Sequence, residues 1–168
     1  MHFEITAQQL SKFQGDQEVT FEEAIDKATF DKIKSHSDGT DIWRNDEVIR
    51  KGIGTRLIGA IIYELSEKKP IRILYDAIIE KGKVDLMRLP FQGLLMGVII
   101  PFSENHATFF APGKEIEVEE KSYFVAYGES SARFVFREGE EIHTKKMKSM
   151  GYSYGDRLKT DDFPFFYK

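Results

Sequence analysis

Hydrophobic residues change their period near residue 70. Before that point they recur three and four apart, as in helices; beyond it they gather in short runs punctuated by glycine and proline. A first helix is predicted over residues 7–13, with Thr6 as its cap and Leu10 and Phe13 on its apolar face. Thr20-Phe21-Glu22-Glu23 has the form of a capping box and predicts a second helix, carrying Ala24, Ile25, Ala28 and Ile33 and stopped by Ser37-Asp38-Gly39-Thr40. A third helix is predicted over residues 45–68, with Ile49, Ile53, Leu57, Ile61 and Leu65 along its buried stripe. Gly52, Gly54 and Gly59 each weaken it by about 1 kcal/mol relative to alanine, which predicts a break near Gly54.

Pro70 ends the helical part, and strands are predicted over residues 71–75, 84–88, 94–102, 108–111 and 115–118. The run at 94–102 is nearly all apolar, as in a strand covered on both faces. Residues 123–127 and 133–136 flank Gly128-Glu129-Ser130-Ser131 and read as a hairpin, with Phe134 and Phe136 inward and Arg133 outward and exposed. A last helix over residues 142–150 stops at Gly151, and an aromatic tail that includes Phe163, Phe165 and Phe166 should dock on the body. Sixteen of the 22 aromatics lie beyond residue 70, which assigns the sheet to that part. The expected fold is α+β: one domain, residues 1–168, with a helical layer at 1–69 on a sheet-rich part at 70–168, arranged as a sandwich or jelly roll.

Composition narrows the function classes. A chain of 168 residues supports a core without staples. The absence of cysteine excludes disulfides, thiolate metal sites and thiol catalysis. A net charge of −4 argues against a general nucleic-acid binder. No apolar run is long enough for a membrane span, and the start MHFEITAQQL lacks the pattern of a secretion signal, so a cytoplasmic protein is expected.

Two constellations could carry chemistry. Arg50-Lys51-Gly52-Ile53-Gly54 before an apolar helix resembles the pyrophosphate loop of acetyl-CoA-dependent N-acetyltransferases, although Ile49 stands where that pattern has Arg or Gln. A glycine-kinked helix explains the same residues, with the N–H groups of residues 52–55 consumed inside it. His36-Ser37-Asp38 with the later His143 has the donor types and order of a facial iron triad, the resident metal of 2-oxoglutarate oxygenases. A surface histidine beside a capping aspartate is the plainer account, and it predicts that His36, Asp38 and His143 do not converge. Lys145, Lys146 and Lys148 follow Glu138, Glu140 and Glu141, an order that the dipole of a solvated helix favours. Trp43 reads as a core anchor with a hydrogen-bonded indole.

Over most of its length the chain resembles the phytanoyl-CoA-hydroxylase-type branch of the iron/2-oxoglutarate oxygenase superfamily. The strings that carry this are Asp41-Ile42-Trp43-Arg44, Lys69-Pro70-Ile71-Arg72, the apolar run from Gln92 to Ile100, His106-Ala107-Thr108-Phe109-Phe110-Ala111-Pro112-Gly113 and Met150-Gly151-Tyr152-Ser153-Tyr154-Gly155-Asp156. It is similar also to a small conserved chlamydial protein of that barrel type. The resemblance implies a double-stranded β-helix, a jelly-roll barrel with an N-terminal helical layer. It also implies iron and 2-oxoglutarate, should the site be retained, with Arg133 where the co-substrate arginine would lie. The segment at 84–93 that should carry His-x-Asp has none, and Tyr127 to Ser131, where the distal histidine belongs, offers only Glu129. The leading expectation is therefore an oxygenase-like barrel that binds a small molecule or metal without the usual triad. The alternatives are an N-acetyltransferase, or a regulatory or partner-binding module, with metal response as one form of it.

Overall fold

The computed structural model describes residues 4–67 and 70–167. In chain order these form α1 (Ala7–Asp16), β1 (Glu18–Glu22), α2 (Lys27–Lys34), α3 (Ile42–Asn45), α4 (Glu47–Ile53), α5 (Arg56–Ser66), β2 (Ile71–Ile79), β3 (Gly82–Val84), β4 (Phe91–Pro101), β5 (His106–Phe110), β6 (Ile116–Val118), β7 (Ser122–Phe134), α6 (Glu141–Ser149) and β8 (Phe165–Tyr167). The fold is α+β. Six antiparallel strands pair in the order β1-β5-β4-β7-β2-β8, and β3 pairs with β6 separately.

Local signals set several helix ends. Thr6 and Gln9 exchange side-chain and backbone bonds in a capping box, and α1 follows. The expected break at Gly54 is present: Gly54 closes α4 by donating its N–H to Arg50, and the Thr55 hydroxyl accepts from Ile58 to open α5. The expected helix end at Lys68 lies outside the described residues.

Tertiary pairing overrides the signal at Thr20. Residues 18–22 are a strand, not a helix start: Val19 and Phe21 are buried while Thr20 and Glu22 face solvent. Edge pairing with β5 holds them extended, and the Thr20 hydroxyl lies 2.8 Å from that of Thr108. The helix begins only after Asp26, which accepts from the Thr29 N–H. The N-terminal part thus contributes an edge strand as well as helices.

Two further expectations change. The strand predicted at 84–88 stops at Val84, and Asp85 caps a 3₁₀ turn at Leu86–Arg88. The predicted hairpin is one continuous strand, β7, which pairs with β2 on one side and β4 on the other. Gly128 does not turn; it lies buried opposite Leu94, where a Cβ would meet the Leu74 side chain at 2.5 Å. Register shifts in β4 absorb the irregularity. Phe134 is fully buried as expected, but Phe136 lies past the end of β7 and is 63% exposed.

The sheet buries both faces. On one, α1 to α5 cover Ile73, Met96, Val98, Tyr123, Val125 and Tyr127. Helix α4 reaches α2 through Gly52, where a Cβ would stand 2.1 Å from Thr29. On the other, α6, the β3–β6 pair and the C-terminal segment enclose Phe91, Phe110, Phe124, Phe134 and Phe163 with Leu74. The tail docks as expected, with β8 pairing along β2 and the Phe166 ring edge-on to Tyr127 at 5.5 Å. No helix among the described residues is long and apolar enough to cross a membrane.

Candidate functional site

The expected metal ligands are engaged separately. His36, just past α2, places Nε2 3.2 Å from Asp46, the residue that caps α4. His143, on α6, places Nδ1 2.6 Å from Glu140 and its ring edge-on to Tyr75 at 4.6 Å. Asp38 is exposed in the bend after α2. Among the described residues no three His, Asp or Glu side chains are grouped to hold a metal ion. Each histidine is bonded to one carboxylate of its own neighbourhood, so the donor set does not fit an iron facial triad. Glu129, on β7, accepts from the Ser131 hydroxyl at 2.6 Å.

Arg133 is half-buried rather than fully exposed. Its guanidinium donates to the Gly155 carbonyl at 2.7 Å, which fastens the segment after α6 to β7. The acetyl-CoA reading also fails locally. Gly52 lies inside α4 against Thr29, and the Gly54 N–H is spent on Arg50. No glycine-rich phosphate loop forms there, which corrects that alternative.

A cluster of ionisable side chains gathers around β2. A bulge after Ile73 turns both Leu74 and Tyr75 to the aromatic face and returns Asp76 to the helical one. Asp76 is wholly buried and accepts from the N–H groups of Ile42 and Trp43, each at 2.9 Å, and from the Tyr123 hydroxyl at 2.5 Å. Burial drives its carboxyl above the usual range, and these donors pull it back only in part. Arg44 lies between the Trp43 and Phe163 rings, at 4.4 and 4.7 Å, and donates to the Asp162 carbonyl. Asp41 pairs with Lys146 of α6, and Asp162 accepts from the Tyr152 hydroxyl. These contacts tie α3, α6 and the tail to β2. The strand Ile71 to Ile79 did carry a signal of this, in one carboxylate set among apolar residues.

The same packing raises the phenols. Burial pushes Tyr75 and Tyr152 up to about 12, and Tyr123 and Tyr127 well above the ordinary value. The folded chain therefore keeps these protons where the unfolded chain, ionising near pH ~10, has lost them. Stability contributed by the neutral phenols is complete below that pH and is lost as pH rises from about 10 towards 12. In an alkaline titration, tyrosinate absorbance from these four rings is expected to rise together with loss of the circular dichroism signal. Ionisation of all four in the still-folded chain near pH ~10 would contradict their burial.

Two hollows differ in chemistry. The larger, about 970 Å³, lies where β1, α2 and the β4–β5 turn meet. Acids dominate it, and two of them are spent: Asp26 caps α2, and Asp31 pairs with Lys27 at 2.7 Å and with Lys34 at 3.8 Å. The smaller, about 280 Å³, lies between the α4–α5 joint and the C-terminal strand, with Trp43, Phe165, Phe166, Arg50 and Lys51 in its lining. Trp43 is buried as expected, yet its indole N–H has no acceptor among the described residues, against the expectation of a bonded indole.

No family model matches the chain, and no curated protein matches it. Solved structures do. The non-heme alpha-ketoglutarate-dependent epimerase SnoN from nogalamycin biosynthesis is 10% identical, with a TM-score of 0.74 over 96% of this chain and 98% of its own. SnoN has also been solved with Fe3+, alpha-ketoglutarate and nogalamycin RO. The alpha-ketoglutarate-dependent carbocyclase SnoK of the same biosynthesis is 12% identical, with a TM-score of 0.74 over 96% of each chain. CT296 from Chlamydia trachomatis is 12% identical, with a TM-score of 0.57 over 76% of this chain and 97% of its own. At such identities the likeness is one of fold alone. It agrees with the expected oxygenase-like fold and with the expected chlamydial similarity, and it does not single out the phytanoyl-CoA branch.

Proposed function

We propose that this protein is a double-stranded β-helix of the oxygenase fold that acts by binding a small molecule and not by iron/2-oxoglutarate oxidation. The filled face of the sheet carries this reading. Phe91, Phe110, Phe124, Phe134 and Phe163 pack together on one face of the sheet, and Phe110 and Phe134 are wholly buried. A metal with two co-substrates needs polar donors converging on one site, and among the described residues no three His, Asp or Glu side chains are grouped to hold an ion. The separate carboxylate partners of His36 and His143 agree with it. Fold similarity does not transfer a reaction when the residues that perform it are dispersed.

The test is equilibrium dialysis against iron(II) under anaerobic conditions, with thermal melts in oxalylglycine. The expected outcome is no stoichiometric iron retention and no shift of the melt with oxalylglycine and iron together. One tightly held iron per chain, with a melt raised by oxalylglycine only when iron is present, would overturn the proposal.

A further inference from the structure

We infer that the hollow between the α4–α5 joint and β8 is a binding site for a small, flat monocarboxylate. The inference deepens the binding reading above and rests on it. The first observation is an unmet donor. Trp43 is 2% exposed and lines this hollow, and its indole N–H meets no acceptor among the described residues. A buried donor without a partner is costly, so an acceptor from outside the chain would be well rewarded here.

The second observation is the sign of the lining. Among the described residues, Arg50 and Lys51 are the charged side chains on it. Arg50 is exposed and donates a long bond, 3.4 Å, to the Arg44 carbonyl. Lys51 pairs with the exposed Glu47 at 2.7 Å, a contact that solvent weakens and an incoming anion can replace. Two adjacent cations and an indole donor, with the exposed Glu47 as the carboxylate beside them, suit one delocalised anion that can take the place of Glu47. The larger hollow has the opposite sign, and part of its charge is already compensated inside the chain.

The third observation is shape. Ile73 and the Phe165 and Phe166 side chains supply apolar walls, and the ring of Phe166 is fixed against Tyr127. A volume of about 280 Å³ falls below that of pockets for drug-sized ligands. A flat ring bearing one carboxylate meets these terms: its body lies against the aromatic walls and its charge faces the cations.

Trp43 is the only tryptophan of the chain, so its emission and its single indole N–H resonance report on this hollow alone. The probes are benzoate, its neutral isostere benzamide, and benzylamine. Benzoate is expected to change the emission saturably, to shift the indole resonance, and to bind about tenfold more tightly than benzamide. Benzylamine is expected to leave both signals unchanged. In Arg50→Gln/Lys51→Gln, two surface changes whose fold is checked by circular dichroism, benzoate should fall to the level of benzamide. No saturable response to millimolar benzoate, equal binding of benzamide, or benzoate binding unaffected by the double substitution would each overturn the inference. The parent reading fails differently. Benzoate binding together with iron-dependent 2-oxoglutarate turnover would overturn the binding-only function and leave this site standing. A turnover-free chain that ignores benzoate would do the reverse.

Discussion

Asp76→Ala is expected to lower the unfolding free energy by roughly 3–5 kcal/mol, read as a fall in the urea midpoint with an unchanged slope. The Asp76 carboxylate accepts from two backbone N–H groups at the start of α3 and from the Tyr123 hydroxyl, all in the buried layer beneath the helices. Alanine leaves three buried donors without an acceptor, and α3 loses the group that fixes it to β2. Tyr123→Phe removes one donor of the same network and should cost less, about 1 kcal/mol. Because the two share a bond, the double variant should cost clearly less than the sum of the singles. The effect also has a pH sign. Burial holds the Asp76 carboxyl above its usual range, so the folded chain keeps this proton to higher pH than the unfolded chain. The stability linked to that proton is complete below the ordinary carboxyl range and is lost as pH rises through the folded value, a slope that Asp76→Ala removes. A loss below about 1 kcal/mol would contradict the role given to this residue.

Gly97→Val is expected to cost about 3 kcal/mol or more. Gly97 faces Phe110 across the β4–β5 pair, and a Cβ there would lie 2.2 Å from the tip of that ring. The ring has no room to swing aside. It is wholly buried and stacks on Phe124, with centroids 6.1 Å apart and planes 28° apart. Gly97 and Phe110 thus form one packed unit, the aromatic covering the bare backbone of its partner strand. Phe110→Ala alone should cost about 3–5 kcal/mol through the cavity it leaves. In Gly97→Val/Phe110→Ala the valine occupies part of that cavity, so the pair should cost less than the sum. Strictly additive losses would show that the two do not share this space.

How far the sequence could be read depended on the range of each interaction. The helix cap at Thr6 and the kink at Gly54 are local devices, and their signals lie within four residues of where they act. The all-apolar strand around Val98 was legible because burial on both faces leaves no polar period to confuse it. Residues 18–22 were not. Thr20 and Glu23 spell a helix start, and only the distant β5 makes them an edge strand. Gly128-Glu129-Ser130-Ser131 spells a turn, and strands on both sides hold it extended. The places of His36 just past α2 and of His143 on α6 were legible, since local signals end the one helix and start the other. The hollow at Trp43 was not, because Arg50, Ile73 and Phe165 meet there only through the tertiary fold.

Turnover of 2-oxoglutarate tests the central claim most directly. The full chain, loaded with iron(II) and ascorbate in air, is assayed for release of carbon dioxide and succinate from 2-oxoglutarate. The account predicts no release above that of iron and ascorbate without protein, because no three His, Asp or Glu side chains among the described residues are grouped to hold the iron. Release that requires the chain and is abolished by His36→Ala or His143→Ala would contradict it, and would return the protein to the oxygenases whose fold it shares.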